Sequence, residues 1–218
     1  MPLTQDEKTA GFILAGGQSS RMGHDKALVS FAGRPLIANA LSILAQAGLP
    51  ATIAGGRPQL ASFAPVVEDA SPGLGPLSGI CAALASTSAR YSVFLSVDLP
   101  LLPASLLRFL VHHAQITGRA VTLSTVNAFA HTFPAVLDRA VLPALQAELA
   151  AGRRGCFMAF QAAAAALGQP ISAIPVELLV QSAQADHPQA LPAARWFLNV
   201  NTPADLESAS KQISLPIA

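Results

Sequence analysis

Charge is scarce in this 218-residue chain: only 11% of residues are Asp, Glu, Lys or Arg, and the formal net charge is +1. Such a balance gives no global attraction to nucleic acid or to an anionic membrane, so any anion site must be built locally. Cysteine is scarcer still. Cys81 and Cys156 are far apart and neither has a CxxC partner, which excludes a disulfide framework or a cysteine zinc site. The five histidines are scattered, and the adjacent His112 and His113 diverge on a helix. No stretch reads as a spanning helix, because the longest apolar region, Pro35 to Ala54, is interrupted by Asn39, Ser42 and Gln46. The opening MPLTQDEKT carries two acids and lacks the cationic and apolar regions of a signal peptide, so a cytoplasmic protein is expected.

What is abundant is apolar: 52% of residues are hydrophobic, enough for one well-buried domain and against disorder. Short apolar runs alternate with helical stretches. Gly11 to Gly16, ATIAGG, PVVED and YSVFLSVD read as strands, and Pro35–Gly48, Pro76–Ser88 and Ala104–Thr117 as helices. This rhythm predicts an α/β domain with a mainly parallel sheet. After the strand RAVTLSTV the rhythm changes near residue 127. HTFPAVL, ISAIPVEL and ARWFLNV are candidate strands there, with helices over Arg139–Ala151, Cys156–Leu167 and Pro203–Gln212 and a loop through QSAQADHPQALPA. A single domain is expected over 1–218, with a nucleotide-sized half to about 127 and a smaller second half after it.

The chemistry begins at ILAGGQSSRMGHDKAL, residues 13–28. A loop leaving the first strand of an open α/β sheet lies at the edge where ligands bind. Its glycines let backbone N–H groups approach oxyanions, Arg21 offers a fork of donors and Lys26 a mobile point charge. The spacing is neither GxxxxGK[ST] nor GxGxxG, and a plain strand-to-helix turn is the ordinary alternative. Downstream, Asp98 ends a buried strand in VDLPLL. An acid there is costly to leave desolvated and unpaired, which calls for a cation, unless it simply caps the next helix.

LAGGQSSRMGHDKAL resembles the signature loop of nucleotidyltransferases of the molybdenum cofactor guanylyltransferase (MobA) type. Three further patches are similar to that family: the Asp98-Leu99-Pro100 motif, EDASPGLGPLSGI at 68–80, and NVNTP at 199–203. The resemblance implies a three-layer Rossmann-like nucleotidyltransferase fold. It implies transfer of GMP from GTP to the terminal phosphate of molybdopterin cofactor, with Mg²⁺ as cofactor and molybdoenzymes or their chaperones downstream. Carried over, Leu14, Ala15, Gly16 and Gly17 contact the nucleotide, and Arg21 and Lys26 neutralise the triphosphate. Asp98 binds Mg²⁺ and Asp69 contacts the nucleotide, with Gly75 and Gly79 letting the following helix approach. Asn199 and Asn201, alternating on a strand and so sharing a face, are acceptor-binding candidates. Thr202 before Pro203 is also a good N-cap. The chain departs from the family at Ile53-Ala54-Gly55-Gly56-Arg57, where an asparagine often precedes the arginine. Arg153 and Arg154 could meet the acceptor phosphate or simply end a helix in solvent. A CTP-dependent enzyme of the same fold, with a molybdopterin or a sugar- or polyol-phosphate acceptor, and a non-catalytic nucleotide-binding cofactor chaperone are the alternative readings.

Overall fold

The computed structural model describes residues 9–15, 25–55, 58–69 and 73–213. Gly16, Gly17 and Arg21 therefore lie outside the described residues, as do Gly56 and Arg57. β1 (Thr9–Leu14) is followed by the two-residue strands β2 (Ser30–Phe31) and β3 (Arg34–Pro35), then by α1 (Leu36–Gln46), β4 (Ala51–Ala54) and β5 (Val66–Val67). Next come α2 (Pro76–Ser86), β6 (Tyr91–Ser96) and α3 (Ala104–Thr117). β7 (Val121–Val126) and β8 (Phe129–Asp138) form a hairpin, followed by α4 (Leu142–Ala150), α5 (Cys156–Ala166), β9 (Ser172–Pro175) and α6 (Val176–Gln181). The chain ends on α7 (Ala193–Trp196) and α8 (Pro203–Ile213).

Seven strands make one sheet in the order β5-β4-β1-β6-β8-β7-β9. All pairings are parallel except those of β8, which runs against β6 and β7. Its reversal follows from a two-residue turn in which Asn127 and Ala128 both have positive φ, 50° and 64°. That geometry suits the right-handed twist of a hairpin. Side chains alternate across the sheet, so each face has its own core. Ile13, Val93 and Leu95 pack under α1, α3, α7 and α8, whereas Phe12, Leu14 and Phe94 pack under α2, α4 and α5. Phe12 and Phe94 stack with centroids 5.4 Å apart across neighbouring strands. The result is helix, sheet, helix, in agreement with the three-layer expectation. Among the described residues no helix is long and apolar enough to cross a membrane.

Two expected strands are corrected. ARWFLNV forms no strand: its buried positions Trp196, Phe197 and Val200, with Ala193 just before it, are spaced by three and four, which is helical rather than alternating. It folds as the short α7 and then an irregular segment, with the Trp196 indole N–H donating to the Leu191 carbonyl at 2.7 Å. Asn199 and Asn201 therefore do not alternate on a strand. ISAIPVEL is half strand, since β9 stops at Pro175, which caps α6. The sequence signals also passed over Gly11. A Cβ there would stand 2.8 Å from the Pro50 carbonyl oxygen and 3.2 Å from Leu44, so this close crossing of chain segments requires glycine.

Candidate active site

The connection from β1 leads to β4 and β5 on one side, and the chain then returns to place β6 on the other side of β1. Strand order reverses between β1 and β6, and the crevice beyond their carboxyl ends is where open α/β sheets bind ligands. β1 ends at this crevice with Ala15 just beyond it, and the loop carrying Asp98 leaves from the same place. The sheet ladder continues into them: Val97 N–H donates to the Leu14 carbonyl at 3.3 Å, and Ala15 N–H to the Ala54 carbonyl at 3.2 Å. Leu14 and Ala15 are buried there, with those two backbone groups committed to the sheet.

Lys26 opens a 3₁₀ turn, Lys26–Leu28, whose cap is Asp25: the Asp25 carboxylate accepts from Ala27 N–H at 3.0 Å. The cap fixes where the Lys26 stem starts. Its ammonium reaches Asp98 Oδ2 at 2.8 Å and Asn201 Oδ1 at 2.5 Å. Both members of the ion pair are largely shielded, the Lys26 and Asp98 side chains being 17% and 19% exposed. Asp98 caps no helix, because α3 begins only at Ala104 behind Pro103. Its second oxygen, Oδ1, is buried and has no hydrogen-bond partner among the described residues. An unsatisfied buried acceptor costs about 1–3 kcal/mol, more when charged. A hard divalent cation coordinated by one carboxylate plus ligand phosphates suits that donor set, so the residues present fit the metal that the sequence implied.

Asn201 arrives from the far end of the chain. Val200 N–H donates to the Asp98 carbonyl at 3.0 Å, which seats the segment beside the β6 loop. Asp205 then locks it, accepting from Asn201 N–H at 3.0 Å and Thr202 N–H at 2.8 Å, while the Thr202 hydroxyl accepts from Asp205 N–H at 3.2 Å. This is a reciprocal cap at the start of α8, so the expected Thr202 cap is present. The Asn201 N–H above all, then the Thr202 contacts and the nearby Lys26 charge, hold the Asp205 carboxyl below its ordinary value. Asp205 was missed by the sequence reading, although the T-P-A-D spacing carries the signal. Asn199 is exposed, two residues before the contact, and is not brought to Lys26.

Asp69 stands just beyond β5 at the same edge of the sheet but does not join this group. It accepts a hydrogen bond from the Ser78 hydroxyl in the first turn of α2. Gly75, before that helix, has φ 87° and ψ −174°, a conformation open essentially to glycine. Gly79 is different: a Cβ there would meet Gly55 at 3.9 Å, ordinary contact, so the expected close approach does not demand glycine. On the other flank His131 stacks on Phe197 with centroids 4.2 Å apart, and burial pushes its pKa down against the opposing pull of Glu177. Arg153 is engaged by Glu148 at 2.6 and 2.7 Å on the surface after α4.

Residues 11–167 match the family model described as MobA-like NTP transferase domain. A molybdenum cofactor guanylyltransferase of Rhodobacter capsulatus is 33% identical over 216 residues, covering 94% of this chain and 97% of that one. Another from Xanthomonas euvesicatoria is 42% identical over 115 residues, which are 52% of this chain and 59% of that relative. Among solved structures, molybdopterin-guanine dinucleotide biosynthesis protein A of Archaeoglobus fulgidus superimposes with a TM-score of 0.75 at 21% identity. That match covers 94% of this chain and 98% of the other.

Proposed function

Since this chain belongs to the MobA-like NTP transferase family, we propose that it transfers GMP from GTP to the terminal phosphate of molybdopterin cofactor, releasing pyrophosphate. The observation that carries the reading is the meeting of Lys26, Asp98 and Asn201 in the crevice between β1 and β6, with one buried Asp98 oxygen left without a partner among the described residues. Leu14, Ala15, Gly16, Gly17, Arg21, Lys26, Asp69 and Asp98 are assigned to the nucleotide. The segment carrying Asn199 and Asn201 is assigned to the acceptor, in keeping with a nucleotide half to about residue 127 and an acceptor half after it.

The reaction is an in-line displacement at the α-phosphorus. An acceptor phosphate oxygen forms the new P–O bond while the bond to the β-phosphate oxygen breaks and its electrons leave with pyrophosphate. The acceptor is already anionic at neutral pH and needs no general base, so the protein's work is alignment and charge neutralisation. Asp98 supplies the metal carboxylate. Mg²⁺, when bound, neutralises phosphate charge and orients the α-phosphate. Lys26, held by Asp98 and Asn201 before substrate arrives, is placed to neutralise the leaving group, and Arg21 is assigned the same task from the sequence. The Asp205 cap keeps Asn201 and its amide oxygen in place for Lys26.

Incubating the protein with molybdopterin, Mg²⁺ and either GTP or CTP, followed by mass analysis of the pterin, tests this directly. The expected product carries GMP and appears only with GTP. A CMP adduct moves the chain to the cytidylyl alternative, and nucleotide binding without any adduct or pyrophosphate leaves the chaperone alternative. The cytoplasm, expected from the sequence, is the compartment assigned in this reading, with molybdoenzymes or their chaperones as recipients of the product.

A further inference from the structure

The loop that carries Asp98 is weakly held by its own backbone. Its internal hydrogen bonds, Leu99 N–H to the Ser96 carbonyl and Leu102 N–H to the Leu99 carbonyl, are long at 3.3 and 3.4 Å. Two side chains from elsewhere grip it more closely. Asn39 on α1 donates from Nδ2 to the Pro100 carbonyl at 2.8 Å, and His187 donates from Nε2 to the Leu101 carbonyl at 3.1 Å. The two acceptors are successive carbonyls, so the Pro100–Leu101 and Leu101–Leu102 peptide planes, the third and fourth after Asp98, are clamped from two independent elements.

The His187 ring is fixed in one form. Leu101 offers only an acceptor, so Nε2 carries the hydrogen, and Nδ1 accepts from Gln189 N–H at 3.1 Å. Both nitrogens are thus engaged in the neutral tautomer. Burial pushes the His187 pKa down, against the opposing pulls of the Leu101 carbonyl and Asp186, which keeps the ring neutral. The ring also lies by Trp196, centroids 6.2 Å apart, and the Ser105 hydroxyl on α3 donates to the Asp186 carbonyl at 2.6 Å. The C-terminal connection is thereby fastened to the β6 loop at both of its ends, at His187 and at Val200.

We propose that Asn39 and His187 are positioning residues for Asp98, holding the Pro100–Leu101 and Leu101–Leu102 peptides of its loop so that its carboxylate meets the metal without reorganisation. The proposal rests on the reading of Asp98 as the metal ligand given above. Partners that orient a metal ligand from behind are worth about 10–100-fold in metal affinity or activity.

Three variants of the full chain separate the hydrogen bond from packing. His187→Phe keeps a ring beside Trp196 and loses the donor, His187→Gln restores a donor toward the Leu101 carbonyl, and Asn39→Leu removes the other clamp at similar volume. Isothermal titration calorimetry gives the ratio of GTP affinity in Mg²⁺ to that in EDTA, which isolates the metal's share of binding. We expect this ratio to fall about tenfold in His187→Phe and Asn39→Leu. GTP affinity in EDTA should stay unchanged, and His187→Gln should return the ratio toward that of the parent. An unchanged ratio in both clamp-deleting variants, or a His187→Gln as weak as His187→Phe, overturns the proposal. If His187→Phe loses its fold by circular dichroism, Asn39→Leu decides. A parent protein whose GTP affinity ignores Mg²⁺ refutes the metal role of Asp98 instead, and this proposal with it.

Discussion

Asp98 and Asp69 occupy matching places, each just past the carboxyl end of a parallel strand at the same edge of the sheet. Their surroundings differ in kind. Asp98 shares one oxygen with a cation, and its other oxygen is buried with no hydrogen-bond partner among the described residues. Asp69 accepts from Ser78, a hydroxyl only 3% exposed, and so ties the β5 loop to the first turn of α2. On the proposed reading the first acid is assigned to the metal, while the second also ties down the loop assigned to the nucleotide. Position at a strand end is therefore insufficient to assign a carboxylate; what its oxygens meet in the folded chain decides.

The sharpest way to break that contrast is to neutralise each acid. Asp98→Asn and Lys26→Ala are each expected to lower kcat by about two to three orders of magnitude, the scale of losing preorganised charge at a transition state. The fold should be retained by circular dichroism, with a lower thermal midpoint, because each variant leaves one member of a largely shielded ion pair without its partner. Near-parental turnover in both variants, measured by pyrophosphate release, would remove this site from the reaction.

Breaking the reciprocal cap comes next. Asp205→Ala deprives the Asn201 and Thr202 N–H groups of their acceptor, and a lost cap of this kind costs about 0.5–2 kcal/mol of stability. Turnover should fall too, by about tenfold, because Asn201 no longer steadies Lys26. Loss of stability with full kcat would confine Asp205 to a structural role.

The smallest effects belong to the Asp69 loop. Asp69→Asn should raise the KM for GTP with kcat largely kept, the opposite split from Asp98→Asn. Within the same loop Gly75→Ala should cost about 1–3 kcal/mol for its backbone conformation. Gly79→Ala should stay within about 0.5 kcal/mol of the parent in chemical denaturation. If Gly79→Ala proves the more damaging of the two, the geometry described for the start of α2 is wrong.

Much of this was legible along the chain. The alternation of short apolar runs with helical stretches gave the α/β class, because side-chain period reflects the local environment of each segment. The placement of Asp98 at the end of a buried run signalled a ligand, since desolvating an acid needs a compensating cation. The resemblance of residues 14–28 to a known signature brought Lys26 forward. The segment 194–200 was misread for a physical reason: Phe197, Asn199 and Asn201 suggest alternation only if the buried Ala193 and Trp196 before them are ignored.

The sequence by itself determined the segments, the caps and the identity of the charged groups, all of which depend on residues within a turn or two of one another. Only the tertiary structure decided which of those groups meet. Lys26 and Asn201 are 175 positions apart. They touch because β1 and β6 are neighbours in the sheet and the chain after Trp196 returns across the β6 loop to place α8 at its edge. Likewise Asp69 finds the Ser78 hydroxyl, and His187 finds the Leu101 carbonyl, through the order of strands and the packing of helices on each face. Those choices are made by burial over the whole sheet, and no local pattern records them.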